Sequence, residues 1–178
     1  MAYVNNIIDT RTLQKNIDAT KRQIDRFGDY LLGKGIGQAV DSHVGLAIEW
    51  GAILIADQAK LLAPVWQGAG GGRLRSNIET SSPYYDSGSG NIVVRVGTNT
   101  EYAPYVEFGT GIYAESGLGR KTPWRYYSPR MGRFVRTVGM KPKPFLRPAF
   151  DSQRNGALDR ISSYLWQKLD AYMKHFRD

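Results

Sequence analysis

Cysteine is absent from this chain of 178 residues, and histidine occurs only at His43 and His175. Disulfide scaffolds and thiolate zinc sites are therefore excluded, and neither histidine has a second ligand at metal spacing. Long apolar runs are also lacking, since the longest, GAILIA, is far too short to cross a bilayer. The N-terminus shows no basic start followed by an apolar core, so we expect no secretory signal. These absences predict a soluble protein made in the cytosol, with no cofactor, metal or membrane partner.

Acidic residues are missing from one segment, between Ser116 and Phe150. The net charge of +8 is concentrated there, because the rest of the chain carries nearly equal numbers of basic and acidic residues. The basic residues of this segment are Arg120, Lys121, Arg125, Arg130, Arg133, Arg136, Lys141, Lys143 and Arg147. Such a segment predicts an anionic partner, either nucleic acid or the acidic face of another protein, and the alternative is a solvated loop.

Hydrophobic periodicity predicts helices at both ends of a single domain spanning residues 1–178. Apolar residues at helical spacing indicate a first helix from about Asp9 to Leu31. A second helix is expected from about Ile36 to Leu62, because Pro64 disfavours helical geometry in the residue before it. A third amphipathic helix runs from Phe150 to Phe176.

The middle of the chain changes to the two-residue period of strands. RLRSNIETS and NIVVRVGT are expected to pair as an antiparallel hairpin across SPYYDSGSG, and TPWRYYSP and RFVRTVGM form two further strands. The fold class is therefore α+β, with an antiparallel sheet of about four strands flanked by two N-terminal helices and one C-terminal helix. Residues 112–143 are expected to project from it as a basic aromatic hairpin or arm.

Two motifs invite a chemical interpretation. QGAGGGRLRS lacks the Gly-Lys-Ser/Thr of a phosphate loop and sits between a helix and a strand in the wrong order, which favours a flexible link. In EYAPYVEFGTG, Glu107 is either a catalytic acid with a raised pKa or a structural ion-pair anchor, with Arg73, Arg75 or Arg147 as its partner. The same motif predicts a short helix whose Tyr102, Tyr105 and Phe108 pack inward, with Gly109 and Gly111 turning the chain after it.

Three stretches, taken in order, resemble a known family. They are APVWQGAGGGRLRSNI (63–78), EYAPYVEFGTG (101–111) and KPKPFLRPAF (141–150). Together they resemble the neck and tail-completion proteins of long-tailed phages, a head–tail joining, tail-component family similar in role to the lambda minor tail protein Z. The resemblance covers residues 36 to 176. It departs from the family at QGAGGG, where members have a short Thr-Gly before the Leu-Arg strand.

The resemblance implies a non-enzymatic structural protein of the virion neck or tail, synthesised in the host cytoplasm. It implies a homo-oligomeric ring, a hexamer, joining the tail to the capsid connector around the DNA channel. Its partners would be head-completion or stopper, tail-terminator or tail-tube proteins, and the genomic DNA in the lumen. We expect assembly contacts from Tyr102, Tyr105, Glu107, Phe108, Trp124, Tyr126, Phe134, Phe145 and Arg147. Contacts to DNA or an acidic partner would come from Arg120, Lys121, Arg125, Arg130, Arg133 and Arg136.

Two other functions are compatible with the residues. The basic aromatic hairpin would suit a nucleic-acid-binding module, in which arginines contact phosphates and aromatic rings stack on bases. A hydrolase would instead use Glu107 as its acid.

Overall fold

The computed structural model describes residues 42–65, 71–129 and 131–174, together with eight helical positions between Asp18 and Asp29. Those eight positions fall within the predicted first helix, and the rest of that helix lies outside the described residues. So do residues 36–41 of the predicted second helix. The described chain is α+β, as predicted, with strands in the middle and a long helix at the C-terminal end.

Helix α1 spans His43–Leu62 and ends where Pro64 predicts. The hydroxyl of Ser42 caps it by accepting a hydrogen bond from the backbone N–H of Gly45 at 3.2 Å. Its buried face consists of small residues, namely Gly45, Ala47, Gly51, Ala52, Ala56 and Ala59. Side chains this small allow a second helix to approach the backbone closely.

That second helix is α4, Leu146–Lys174, which packs antiparallel to α1. A Cβ atom added at Gly51 would lie 2.9 Å from the Ile161 side chain and 3.2 Å from the Ala157 carbonyl oxygen. At the N-terminal end of α1, His43 Nδ1 lies 3.2 Å from the Tyr164 hydroxyl. The two helices form one layer of the domain. No helix in the described part of the chain is long and apolar enough to cross a membrane.

The strands form three two-stranded antiparallel ladders in the described residues, where one sheet of about four strands was expected. The six strands, β1 to β6 in chain order, are Ile78–Thr80, Tyr84–Asp86, Asn91–Val93, Val96–Thr98, Trp124–Ser128 and Arg133–Thr137. Strand β1 pairs with β4, with Ile78 opposite Thr98, and β2 pairs with β3, with Tyr84 opposite Val93. Strand β5 pairs with β6, with Tyr126 opposite Val135.

Two of the predicted strands differ in detail. RLRS begins as a helical turn, α2 (Arg73–Ser76), because Leu74 is buried while Arg75 donates to the Ala63 carbonyl oxygen at 3.1 Å. NIVVRVGT is split into β3 and β4, since Arg95 leaves the ladder and its N–H donates to the Ser81 hydroxyl at 2.9 Å. The stretch predicted as a turn-rich connection contains β2.

The core lies where α1, β1 and the start of α4 meet a short helix, α3 (Ala103–Phe108). Its largest fully buried side chains are Ile78 and Phe145, packed among Ala56, Ala59, Ala63, Leu74, Ala103, Val106 and Ala149. Phe145 anchors the proline-rich segment that leads into α4. The β5–β6 hairpin lies outside this core, because among the described elements its two strands pack mainly against each other.

Candidate functional site

Glu107 is a buried carboxylate that joins α3 to the start of α4, and only 3% of the residue is exposed. Its Oε2 accepts hydrogen bonds from the backbone N–H groups of Phe145 at 2.7 Å and Leu146 at 3.1 Å. Its Oε1 accepts from the backbone N–H of Arg147 at 3.2 Å and from the Arg147 Nε at 3.0 Å. These four donors fill the acceptor positions that a carboxylate offers.

The N-terminus of α4 explains why the carboxylate is needed there. The first N–H groups of any helix have no partner within the helix, and they carry partial positive charge. Phe145 precedes the first helical residue, Leu146, and a phenyl ring cannot accept a hydrogen bond. Glu107 therefore caps the helix from 38 residues earlier in the chain.

The pKa of Glu107 reflects two opposing effects. Burial raises it, but the N–H donors of Phe145 and Leu146 and the Arg147 guanidinium together hold the pKa below its ordinary value. The group is therefore ionised near neutral pH. An ionised carboxylate with every acceptor position occupied has no proton to give, so this geometry favours the structural anchor over the catalytic acid.

Arg147 extends the arrangement to the surface. Its Nη1 and Nη2 each donate to one oxygen of Glu115 at 2.8 Å, a bidentate pair, and Nη2 also donates to the Glu107 carbonyl oxygen at 3.3 Å. The guanidinium lies 5.0 Å from the centre of the Phe108 ring. Its hydrogen bonds lower the pKa of Glu115, and the two carboxylates raise that of Arg147. We call Glu107, Arg147 and Glu115 the carboxylate clasp.

A backbone ladder ties the base of the hairpin to the clasp. Thr110 N–H donates to the Met140 carbonyl at 2.9 Å, and Ile112 N–H donates to the Val138 carbonyl at 3.0 Å. Gly111 has φ 63°, and a Cβ atom there would overlap the Val138 carbonyl oxygen. The glycines after α3 therefore provide both the predicted turn and the close approach of two backbone segments.

The aromatic side chains of α3, and that of Tyr102 just before it, are exposed to solvent, whereas the sequence predicts that they pack inward. Tyr102, Tyr105 and Phe108 are 43%, 59% and 49% exposed, while Ala103 and Val106 are buried with Glu107. The prediction that the aromatic rings pack inward is wrong, although the short helix itself is confirmed. The exposed aromatic residues and the buried residues both have the spacing of a helix face, so the spacing alone does not decide which face is buried. Because Glu107 must point toward the start of α4, the face of α3 with the smaller side chains is turned inward.

The hairpin of β5 and β6 has two faces of different chemistry. Residues opposite each other in the ladder share a face, and consecutive residues alternate between faces. One face, which we call the Arg125 face, presents Arg125, Tyr127, Phe134 and Arg136. The other, the Trp124 face, presents Trp124, Tyr126, Ser128, Arg133, Val135 and Thr137.

The basic residues named from the sequence are therefore only partly brought together. Arg125 lies directly opposite Arg136, whereas Arg133 lies on the other face, opposite Ser128. Arg120 lies over the Trp124 ring at 5.6 Å. Lys121 is exposed, and Arg130 lies outside the described residues.

A groove at the base of the hairpin has a volume of about 510 Å³. It is lined by Arg120, Pro123, Trp124, Arg125 and Arg136, with no carboxylate among them. The charged residues of its lining are therefore all arginines.

The sequence predicts Arg147 as one of three possible ion-pair partners of Glu107, but it does not predict that Arg147 also binds Glu115. One feature of the sequence indicates that α4 is capped from elsewhere in the chain. No Ser, Thr, Asp or Asn, the usual local capping residues, directly precedes Leu146. No group of acidic and histidine side chains suited to a metal ion occurs among the residues that the structure describes.

Comparison with known families identifies the class of protein. The family described as bacteriophage HK97-gp10 tail-component matches residues 11–109, more than half of the chain, which defines a phage structural tail component. The chain belongs to this HK97-gp10-like tail-component family, as the resemblance predicted. The match includes Glu107 but ends before the hairpin and α4. Neither the curated proteins nor the solved structures give a significant match.

Proposed function

We propose that this tail component forms a closed homo-oligomeric ring of six subunits at the junction of the phage head and tail. There it completes the tail and joins it to the capsid connector around the DNA channel. Family membership supports a structural role in the virion and contacts with other phage structural proteins. The neighbours in this proposal are head-completion or stopper proteins, tail-terminator proteins and tail-tube proteins.

The observation that carries the proposal is an exposed apolar surface beside the clasp. It comprises Tyr102, Tyr105, Phe108, Ile112 and Tyr113, each between 37% and 59% exposed. Large apolar side chains grouped in this way are typical of protein interfaces, where aromatic residues are enriched. We call these five residues the aromatic surface and propose that it packs against a neighbouring subunit.

The carboxylate clasp supports this role from within the subunit. Glu107 and Phe145, both expected at the interface, are buried in their own subunit, so they would position the interface without contacting the neighbour. Glu107 fixes α3 from its inner side, and the Arg147 guanidinium lies over the Phe108 ring. A surface that is already rigid loses less conformational entropy when it binds.

A ring also needs a second, different patch on each subunit, because a head-to-tail contact closes by rotation only when unlike surfaces meet. An apolar groove of about 810 Å³ between α1 and α4 suits this role. It is lined by residues such as Ile48, Ala52, Ile55, Leu158 and Ile161. In the proposed ring, the aromatic surface of one subunit occupies this groove in the next.

Mass photometry of the purified full-length protein tests the ring, alone and after addition of neck or tail proteins. We expect a species of six times the 19.9 kDa chain mass. Replacing both Tyr105 and Phe108 with serine should abolish it, while the circular dichroism spectrum stays unchanged. Trp166→Ser is the matched control, since this exposed residue lies about 30 Å along α4 from its start. A monomer under all conditions would contradict the proposal.

Mixing two defective proteins tests the head-to-tail geometry. The first is the Tyr105 and Phe108 double variant, and the second is Leu158→Glu, which places a charge in the groove at a residue 60% exposed. Each retains one intact patch, so neither closes a ring alone, but together they can form one native contact. We expect dimers in the mixture and monomers in each separate sample. Monomers in the mixture would show that these two surfaces do not meet.

A further inference from the structure

The Arg125 face of the hairpin carries like charges that no ion pair among the described residues compensates. Arg125 and Arg136 are direct partners in the β5–β6 ladder. Like charges directly opposite each other destabilise a sheet. None of the ion pairs among the described residues involves Arg120, Arg125 or Arg136. An arrangement that costs stability in the free subunit indicates an anionic partner outside it.

The surroundings of this face suit a partner with closely spaced anions. Arg120 lies over the Trp124 ring, outside the Arg125 face, but it lines the groove at the hairpin base together with Arg125 and Arg136. The rings of Tyr127 and Phe134 lie edge to face with their centres 5.5 Å apart, and the Arg125 guanidinium lies 5.8 Å from the centre of the Phe134 ring. The aromatic pair thus supports the guanidinium on an exposed ribbon. A guanidinium presents a planar fork of donors that matches the oxygens of a phosphate group.

We propose that the Arg125 face binds the phosphate backbone of double-stranded DNA without reading its sequence. Duplex DNA carries one negative charge per about 1.7 Å of its axis. Because its phosphates are so closely spaced, neighbouring guanidinium groups can each bind a different phosphate. A two-stranded ribbon also matches the major groove, which is about 12 Å wide. This inference rests on the proposed function for its setting, in which the ring encloses the genome.

An acidic protein surface is the competing partner, and two observations disfavour a second copy of this chain as its source. A second copy of this chain would bring its own basic segment, which has no acidic residue between Ser116 and Phe150. The acidic residue just before that segment, Glu115, is already held by Arg147 in a bidentate pair. Subunits arranged in a ring would therefore place several uncompensated Arg125 faces near one another, which favours a continuous polyanion.

The test compares two charge reversals that change the net charge equally. R136E alters the Arg125 face and R133E alters the Trp124 face. Binding of full-length protein to a fluorescent duplex of mixed sequence is measured by anisotropy over a range of salt concentrations. For R136E we expect weaker binding and a slope of log K against log salt reduced by about 2, because Arg136 is lost and Arg125 is neutralised. R133E should keep most of the affinity and the wild-type slope.

Folding and assembly controls make the outcomes distinct. R136E puts a carboxylate opposite Arg125, so its thermal midpoint should equal or exceed that of the wild type. Equal loss of binding in R136E and R133E would overturn the proposal, and so would preferential binding of single-stranded DNA. Displacement of the duplex by polyglutamate at equal charge concentration would also overturn it in favour of an acidic protein. A wild-type ring that binds no duplex refutes this inference alone, whereas a duplex-binding monomer refutes the ring alone.

Discussion

Replacing Glu107 with glutamine changes one atom of the carboxylate clasp and preserves the size of the side chain. The buried carboxylate accepts four hydrogen bonds at 2.7 to 3.2 Å, two on each oxygen. An amide has only one acceptor oxygen, and its NH₂ group would face two N–H donors. The variant should therefore lose half of these bonds and leave donors unsatisfied at the start of α4.

The magnitude follows from hydrogen bonds to a buried charge. Each contributes about 1.5 to 3 kcal/mol, and breaking a buried charged pair costs about 3 to 5 kcal/mol. We expect Glu107→Gln to lower the free energy of unfolding by about 3 kcal/mol. For a chain of this size, that corresponds to a fall in Tm of roughly 6 to 12 °C.

The assay is thermal and urea unfolding at one fixed protein concentration, since assembly also contributes to stability. Glu115→Gln is the matched control. It removes the exposed end of the same clasp, and its effect should be much smaller because exposed ion pairs contribute little. A Glu107→Gln protein with the wild-type Tm, or an equal loss in Glu115→Gln, would refute the capping role.

The pH dependence gives an independent check on the same residue. The pKa of Glu107 in the folded protein is held below its ordinary value. Its stabilising contribution is therefore complete above the ordinary glutamate pKa of about 4.3 and is lost as the pH falls through the lower, folded-state pKa. The difference in Tm between wild type and Glu107→Gln should be constant near neutral pH and shrink in acid. A difference that grows on acidification would contradict the assigned direction of the pKa shift.

Two further predictions concern the supports of the site. Gly111→Ala should lower the free energy of unfolding by about 1 to 3 kcal/mol, because φ is 63° and the new methyl group would overlap the Val138 carbonyl oxygen. Gly97→Ala, with open space around the position and an ordinary φ, should leave the stability nearly unchanged in the same thermal unfolding. Phe145→Ala should lower the free energy of unfolding, measured in urea, by about 3 to 5 kcal/mol, since the ring is fully buried. Phe150→Ala should lower it far less, because Phe150 is 53% exposed. Equal effects within either pair would contradict the assigned packing.

Features governed by local chemistry were predictable from the sequence. Pro64 marks the end of α1, and TPWRYYSP and RFVRTVGM contain the predicted strands, β5 and β6. Gly109 and Gly111 turn the chain with positive φ values, as predicted from the Gly-Thr-Gly motif. Each of these features depends on the conformational preference of one or two residues or on a pattern within a few positions.

Features decided by distant contacts were not predictable in the same way. The direction of α3 depends on the hydrogen bond between Glu107 and Phe145, whereas the three-residue spacing of the aromatic residues Tyr102, Tyr105 and Phe108 predicted that they would form the buried face. The division of NIVVRVGT into two strands depends on the bonds between Ser81 and Arg95. A single sequence shows which residues can form such contacts but not which contacts they form.

Averaged cryo-electron microscopy images of the neck of virions that contain this chain would show whether the proposed ring exists. We expect a sixfold ring between the capsid connector and the tail tube, with the β5–β6 hairpins directed toward the DNA and the aromatic surfaces buried between subunits. Density for this chain at another position in the particle, such as the tail tip, or its absence from the neck, would contradict the account.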